Sequence, residues 1–304
     1  MMNYSELRSD RRRLLALTGL TLREFESLLG SFTRSYERRY PADRTATGQP
    51  RQRRAGGGRT AVLHDPAQKL LFLLVYLKTY PLQVVMAELF GLSQPQVNYW
   101  LRRLLPVLRD ALDDLGVLPE REGPAFAGAS PSPRLIIDGT ERRRQRPKSP
   151  EKQEAHYSGR KKTHCDKNVV VVEVGSKRVD YLSGSRAGRV ADKSIADQEG
   201  IAYPPGTVLY KDSGFQGYEP AGTRTRQAKK KPVGGELTTA EKRANRKLGS
   251  MRVRVEHALA GVKRCRIVKD VLRNTAEGTS DSVMVVACGL HNVRVEKRRR
   301  RPGT

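Results

Sequence analysis

The chain has 304 residues, and its 58 lysines and arginines outnumber its 32 aspartates and glutamates by 26. A surface this basic attracts polyphosphate and releases counterions on binding, which favours a nucleic-acid partner over a merely soluble basic protein. No run of about 18 apolar residues occurs and the charged N-terminal segment lacks a signal core, so we expect no membrane span and no secretion. Cys165, Cys265 and Cys288 are too widely spaced for a zinc ligand pair, and we expect reduced thiols in a cytoplasmic, nucleoid-associated protein.

Residues 1–118 have helical patterns. Thr21 and Glu24 stand at the spacing of a capping box, and apolar residues follow at helical intervals. Asp65 followed by Pro66 indicates the start of a second apolar helix that continues through Leu70–Tyr80. Between them, residues 41–60 are rich in Arg and Gly without apolar periodicity; they are either a basic arm for DNA or a solvated loop.

Residues 81–108 have the spacing of a helix-turn-helix. Ala87 allows two helices to approach, Gly91 forms the turn, and Val97 and Trp100 anchor the second helix, which Ser93 caps. Amide and guanidinium groups on that helix are the kind that contact base edges, and the predicted DNA-binding residues are Gln94, Gln96, Asn98, Tyr99 and Arg102. The alternative is an ordinary helical hairpin whose polar residues face water.

The second half of the chain alternates strands and helices. Residues 119–133 are rich in Pro, Gly, Ala and Ser and are predicted to be a linker. Beyond it we expect strands at 134–138, 168–175, 177–184 and 207–212, and helices at 192–199, 239–263 and 280–297. The stretch 219–240 is Lys-rich and has no predicted element.

Three acidic residues stand in this basic half at informative positions. Asp138 and Asp212 each end an apolar strand pattern, and Glu256 lies in the long helical pattern. Carboxylate oxygens are the ligands that Mg²⁺ prefers, and paired metal ions promote phosphodiester chemistry. Each residue also has a structural explanation: the two aspartates precede Gly or Ser-Gly as in turns, and Glu256 stands four residues after Arg252, a pairing distance on a helix.

The local sequence around these acids is similar to that of bacterial insertion-sequence DDE transposases of family five, which are related to the Harbinger superfamily. The first motif runs from Asp138-Gly139-Thr140-Glu141 to the segment 157–164 (YSGRKKTH), the second is DSGFQG at 212–217, and the third is Arg252-x3-Glu256-x6-Lys263. The helix-turn-helix that precedes them is also usual in that family. Two positions depart from the family pattern, Gly249 and Ala191, and neither is one of the three acids.

This resemblance implies an RNase H-like α/β catalytic domain, with a mixed sheet flanked by helices, after an all-α helix-turn-helix domain. The expected domains are 1–118, a linker at 119–133, a catalytic domain at 134–296 and a basic tail at 297–304. It implies that Asp138, Asp212 and Glu256 are catalytic and hold two divalent cations, Mg²⁺ or Mn²⁺. The implied partners are double-stranded DNA, as element ends and target, and a second copy of the chain.

Cations near these motifs are expected to line the DNA path, because phosphate contacts hold the strand and offset repulsion from the carboxylates. They are Arg142, Arg143, Arg160, Lys161, Lys162, Arg252 and Lys263. A surface lysine is the alternative for Lys263. Two other functions stay open at this point: a DNA-binding regulator without activity, and a metal-dependent endonuclease that does not transfer strands.

Overall fold

The computed structural model describes residues 1–45, 48–52, 62–130, 132–232 and 234–299. The chain divides into two compact units, of which the first contains Met1–Leu118 with Arg264–Ile267, and the second contains Pro119–Lys263 with Val268–Thr304. No helix in the described part of the chain is long and apolar enough to cross a membrane.

The first unit is all-helical. Its helices are α1 (Tyr4–Ser9), α2 (Arg11–Thr18), α3 (Leu22–Arg39), α4 (Pro66–Thr79), α5 (Gln83–Phe90) and α6 (Gln94–Asp114). The predicted capping box forms at the start of α3, where Thr21 and Glu24 each accept a hydrogen bond from the other's backbone N–H. Half of the predicted basic arm, residues 46–47 and 53–60, lies outside the described residues; the described part contains a bridge between Arg44 and Pro50.

The helix-turn-helix consists of α5, a turn at Gly91 and α6. Gly91 ends α5 with φ 64°, a left-handed conformation that glycine adopts without strain. Ser93 and Gln96 form the capping box that starts α6. Ala87 and Val97 are buried, so the small residue and the apolar anchor lie where the sequence pattern predicts them.

The second unit is built on a mixed sheet. Its strands are β1 (Arg134–Arg143), β2 (Tyr157–Ser158), β3 (Thr163–Glu173), β4 (Val179–Leu182), β5 (Arg186–Ala187), β6 (Val208–Lys211) and β7 (Arg224–Gln227). β3 pairs antiparallel with β1 on one side and with β2, β5 and β4 on the other, and β6 and β7 extend the sheet parallel to β1. This order of antiparallel and parallel strands confirms the expected RNase H-like fold.

Helices cover the sheet. They are α7 (Phe126–Ala129), α8 (Pro150–His156), α9 (Asp192–Glu199), α10 (Thr239–Val262) and α11 (Thr279–Arg299), with short 3-10 turns at Gly123–Ala125, Ser213–Phe215 and Arg266–Val268. α9 contacts β3, while α10 contacts β1, β6 and α11. Side chains alternate across a strand, so one set of β1 residues, including Leu135 and Ile137, joins a buried cluster with Ile195 of α9.

The structure differs from the sequence predictions at three places. The expected linker 119–133 is folded in its described part: it contains α7, and Phe126 is fully buried against the sheet. The first strand does not end at Asp138, because Gly139–Arg143 continue to pair with β3. The last helix extends through Arg299, so Lys297–Arg299 are helical, and the rest of the expected tail lies outside the described residues.

Candidate active site

The parallel pairing of β1 with β6 brings two of the three predicted acids together. Ile136 lies opposite Tyr210, and the same register continued by two residues sets Asp138 opposite Asp212. β6 ends at Lys211, and the Asp212 carboxylate accepts a hydrogen bond from the Gly214 N–H at 2.8 Å, which fixes the turn after the strand. Asp138 therefore stands on a continuing strand, and Asp212 on the loop beside it.

The two carboxylates repel each other. Burial and the neighbouring Asp212 raise the pKa of Asp138 from 3.8 to about 6, while a hydrogen bond from the Gly139 N–H and the nearby Arg252 act in the opposite direction. Arg252, on α10, has its Nη2 atom 3.6 Å from Oδ2 of Asp212. Among the described residues Asp138 has no ion pair, so its negative charge is not neutralised by a contacting side chain.

Both acids line a cavity of about 810 Å³. Cations predicted to lie on the DNA path also line it: Arg143, Arg160, Lys161, Arg252 and Lys263. Sequence reasoning missed other residues of the wall, namely Glu141, Cys165, Asp192, Lys269 and Asp270. The cavity thus combines two neighbouring carboxylates, of which Asp138 has no ion pair among the described residues, with surrounding cations, an arrangement suited to a phosphodiester and a divalent cation.

One of these cations, Lys263, is partly buried beside the carboxylates. Burial lowers the pKa of Lys263, and the Asp138 carboxylate partly offsets this effect. The electrostatic influence of Asp138 indicates that the lysine lies close to it, so Lys263 is a partly buried residue of the cavity wall rather than a surface lysine.

Glu256 is not among the residues that line this cavity, and its side chain is exposed. It nevertheless lies on the same side of α10 as Arg252, four residues after it, and seven residues before Lys263, which caps the end of the helix. α10 contacts both β1 and β6, the strands that carry the two aspartates. Within the described ranges, no group of three or more His, Cys, Asp or Glu side chains is close enough to hold a metal ion.

Asp192 is the acid that the structure does place beside the two aspartates. A Cβ atom added to Gly139 would lie 2.6–2.8 Å from the Asp192 carboxyl group, and one added to Gly214 would lie 3.6 Å from it. Lys167 pairs with Asp192 at 3.3 Å and with Glu141 at 3.5 Å. A sequence signal for this contact existed in the glycine after Asp138, since glycine is used where another group approaches the backbone closely.

Arg142 was predicted to contact DNA, and that prediction is wrong. Its side chain is 4% exposed and donates hydrogen bonds to Asn168 at 2.6 Å, to Ser185 at 2.9 Å and to the Ser280 carbonyl. Burial lowers its pKa to about 10. The hydrogen bond to Ser280 joins β1 to α11, and it keeps the Arg142 side chain away from solvent.

The other predicted DNA-binding residues are accessible. Lys162 is exposed, although it does not line the cavity. Four of the residues on α6 that were predicted to contact base edges are exposed, namely Gln94, Gln96, Tyr99 and Arg102. The fifth, Asn98, is half-buried. Gln96 also accepts a hydrogen bond from the Ser93 N–H at 2.9 Å, so its side chain serves the helix cap.

Comparison with known proteins gives three findings. The family model described as DDE superfamily endonuclease matches residues 137–292, and the one described as helix-turn-helix of DDE superfamily endonuclease matches residues 62–114. A probable transposase for insertion sequence element IS702 from Microchaete diplosiphon is 22% identical over 262 residues, which cover 84% of this chain and 88% of the relative. No solved structure matches.

These matches agree with the geometry. The endonuclease match spans the sheet and the cavity that holds Asp138 and Asp212, and the second match spans α4, α5 and α6. Nucleases of this superfamily use divalent metal ions, and the oxygen ligands of the two aspartates fit such ions. The chain therefore belongs to the DDE superfamily endonucleases, enzymes that act on DNA, and carries the helix-turn-helix domain of that superfamily.

Proposed function

We propose that this protein is a transposase that binds the ends of an insertion sequence and catalyses strand cleavage and strand transfer in cut-and-paste transposition. The observation that carries the proposal is the juxtaposition of Asp138 and Asp212 at the wall of a cavity rich in arginine and lysine. The similar protein from Microchaete diplosiphon, a probable transposase for an insertion sequence element, agrees with it.

We assign the catalytic triad to Asp138, Asp212 and Glu256. The two aspartates supply oxygen ligands and repel each other, so they gain from a cation between them. Glu256 lies one helical turn after Arg252 on α10, and the other acid of that helix, Glu241, lies in its first turn, so Glu256 is the acid of α10 that we choose to complete the set. Two bound Mg²⁺ or Mn²⁺ ions would lower the pKa of a water and stabilise the leaving oxygen of a phosphodiester.

The basic residues of the cavity hold and orient the DNA strand. Arg143, Arg160 and Lys161 attract the phosphates and offset their repulsion from the carboxylates. Arg252 contacts Asp212 at 3.6 Å, so it restrains this carboxylate and remains available to a phosphate on the same side. These residues give affinity for any DNA sequence, and selection of the element end must come from elsewhere.

We assign the recognition of the element ends to the helix-turn-helix. The exposed face of α6 presents amide and guanidinium groups of the type that distinguish base edges in the major groove. Two ends of one element must be brought together for cut-and-paste transposition, which favours a homodimer on DNA. Residues 1–118, taken as a fragment, are expected to bind an end without cutting it.

The test is cleavage by three charge-removing variants: Asp138→Asn, Asp212→Asn and Glu256→Gln. Each removes a ligand charge with little change of shape, so each is expected to abolish Mg²⁺-dependent cleavage of DNA that carries the element end, while end binding persists. Glu277→Gln is the matched control, because Glu277 is exposed and does not line the cavity. A strand-transfer assay with a pre-cleaved end separates a transposase from an endonuclease that does not join strands.

The outcome for Glu256 is informative in both directions. Cleavage at the wild-type rate by Glu256→Gln, together with loss in Asp192→Asn, would remove Glu256 from the triad in favour of the acid that lies beside Asp138. Cleavage by Asp138→Asn or Asp212→Asn would reject the site itself. End binding without cleavage by the wild-type protein would favour a regulator.

A further inference from the structure

A second, smaller cleft adjoins the active site on the far side of Asp212. Its volume is about 150 Å³, and Asp212 and Arg252 line both this cleft and the larger cavity. The remaining wall comes from the ends of β6 and β7, from the residues that follow β7, and from α10. The site proposed above makes no use of this cleft.

The cleft is strongly basic. Five cations and one carboxylate line it: Lys211, Arg226, Lys229, Lys230, Arg252 and Asp212. Lys211 and Lys229 are neutralised by ion pairs with Glu219 and Glu241. The other three cations face a single carboxylate, so the cleft has an excess of positive charge.

Arg226 carries the largest share of this excess. It is exposed, and its side chain makes no hydrogen bond or ion pair with any residue that the structure describes. Lys230 donates a hydrogen bond of 2.7 Å to the neutral amide of Gln216 and so keeps its full charge. A guanidinium fork beside an ammonium group suits the planar and point-like contacts by which proteins hold phosphate oxygens.

The backbone of this segment is held in place before any ligand binds. Gln227 donates a hydrogen bond of 2.7 Å to the Asp212 carbonyl, which ties the end of β7 to the active site. Lys229 exchanges two backbone hydrogen bonds of 2.9 Å with the Asn245 side chain on α10. Arg226 therefore lies on a strand that pairs with β6 and is followed by two anchored residues, so little ordering is needed when a ligand enters.

We propose that this cleft binds one backbone phosphate of the DNA strand, next to the phosphate that reacts in the larger cavity. Its volume of about 150 Å³ has room for a phosphodiester group, and the excess of positive charge favours a phosphate as the occupant. Since Asp212 and Arg252 line both spaces, a strand that passes Asp212 has cations on each side of the reacting bond. The position relative to the reacting phosphate depends on the proposed function, whereas binding of DNA in the cleft does not.

The first experiment measures the salt dependence of binding. A random-sequence DNA duplex is titrated with the full-length protein at several salt concentrations, using fluorescence anisotropy. Arg226→Ala is expected to reduce the slope of log K against log salt by about 0.9, the loss of one phosphate contact. Arg224→Ala is the matched control, because Arg224 is an exposed arginine on the same strand that does not line the cleft, and its slope is expected to stay at the wild-type value.

The second experiment locates the phosphate. Single uncharged methylphosphonates are placed at each position around the cleavage site of an element end, and single-turnover cleavage is measured. One such substitution is expected to slow the wild-type protein and the Arg224→Ala variant, and to cause no further loss in Arg226→Ala. If instead every methylphosphonate slows Arg226→Ala as much as it slows the wild type, the cleft does not hold a phosphate near the reacting bond.

The results separate the two proposals. An unchanged salt slope for Arg226→Ala, or an equal loss in Arg224→Ala, rejects the phosphate site even when the wild-type protein cuts and joins DNA. The expected slope change in a protein that neither cuts nor joins DNA supports the cleft and rejects the transposase.

Discussion

Replacing Asp138 by Asn is expected to stabilise the folded protein in the absence of divalent cations while it abolishes activity. The pKa of this carboxyl group rises from 3.8 to about 6 in the folded state, because of burial and the adjacent Asp212. At about 1.36 kcal/mol per pKa unit, keeping Asp138 charged costs the folded protein at most about 3 kcal/mol at pH 7.5. Asparagine keeps the shape and removes that cost.

The raised pKa of Asp138 determines how the stability of the folded protein changes with pH. A carboxyl group whose folded-state pKa lies above its unfolded value binds its proton more tightly when the protein is folded, so the folded state loses stability as the pH rises. The loss develops between the unfolded value of 3.8 and the folded value of about 6. The advantage of Asp138→Asn is therefore expected to be greatest above pH 6 and to disappear towards pH 4.

Thermal unfolding of the full-length protein in chelator checks this expectation, at pH 7.5 and pH 4.5. Glu277→Gln removes an exposed carboxylate of the same unit and is expected to leave the unfolding temperature unchanged at both pH values. Addition of Mg²⁺ is expected to stabilise the wild type and not Asp138→Asn, because only the wild type keeps both carboxylates. If Asp138→Asn is less stable than the wild type at pH 7.5 without metal, the repulsion between Asp138 and Asp212 does not exist as described.

Two further predictions concern the surroundings of the candidate active site and helix α6 of the helix-turn-helix. Gly139→Ala is expected to lower the free energy of unfolding by about 1–3 kcal/mol and to reduce cleavage, because the added Cβ atom would displace the Asp192 carboxyl group. The control is Gly249→Ala, whose Cβ atom meets nothing within 4 Å and should not be destabilising; equal urea midpoints for the two variants would contradict the contact between Gly139 and Asp192. Asn98→Ala is expected to reduce discrimination between intact and mutated element ends by about 1–3 kcal/mol without changing thermal stability, whereas Gln96→Ala also removes a helix cap and lowers the unfolding temperature. If a competition binding assay shows unaltered discrimination for Asn98→Ala, Asn98 takes no part in base recognition.

The sequence predicts elements best where a local signal suffices. Helix α9 has the predicted bounds, 192–199, and α10 begins at the predicted Thr239. The residue before it, Thr238, forms a capping box with Glu241. The hairpin of β3 and β4 follows from two apolar runs around a short turn. In contrast, β7 lies in a Lys-rich stretch with no apolar pattern, and it becomes a strand because the edge of β6 offers hydrogen-bond partners. Such pairing depends on a distant segment and leaves no local pattern.

The predictions that failed concern burial. Arginine is mostly exposed in proteins, so a run of arginines after Asp138 indicates a surface. Arg142 is buried because β1 continues beneath α11, and Asn168, Ser185 and Ser280 come from three separate segments to accept its hydrogen bonds. The turn-like Asp138-Gly139 pair concealed that continuation. Here glycine provides room for the Asp192 carboxyl group, and no turn forms.

The distribution of cations around the acids supports the proposed role of Asp138 and Asp212 as metal ligands. Lys167 lies 3.3 Å from Asp192 and 3.5 Å from Glu141, with its side chain 11% exposed, so these two acids already have a partner inside the protein. Asp138 has no such ion pair among the described residues, and Asp212 has only an arginine at 3.6 Å. Buried negative charge without a partner is costly, and a bound divalent cation would remove that cost. The fold thus gives Glu141 and Asp192 a shared lysine partner and leaves the charge of Asp138, beside Asp212, available for a cation.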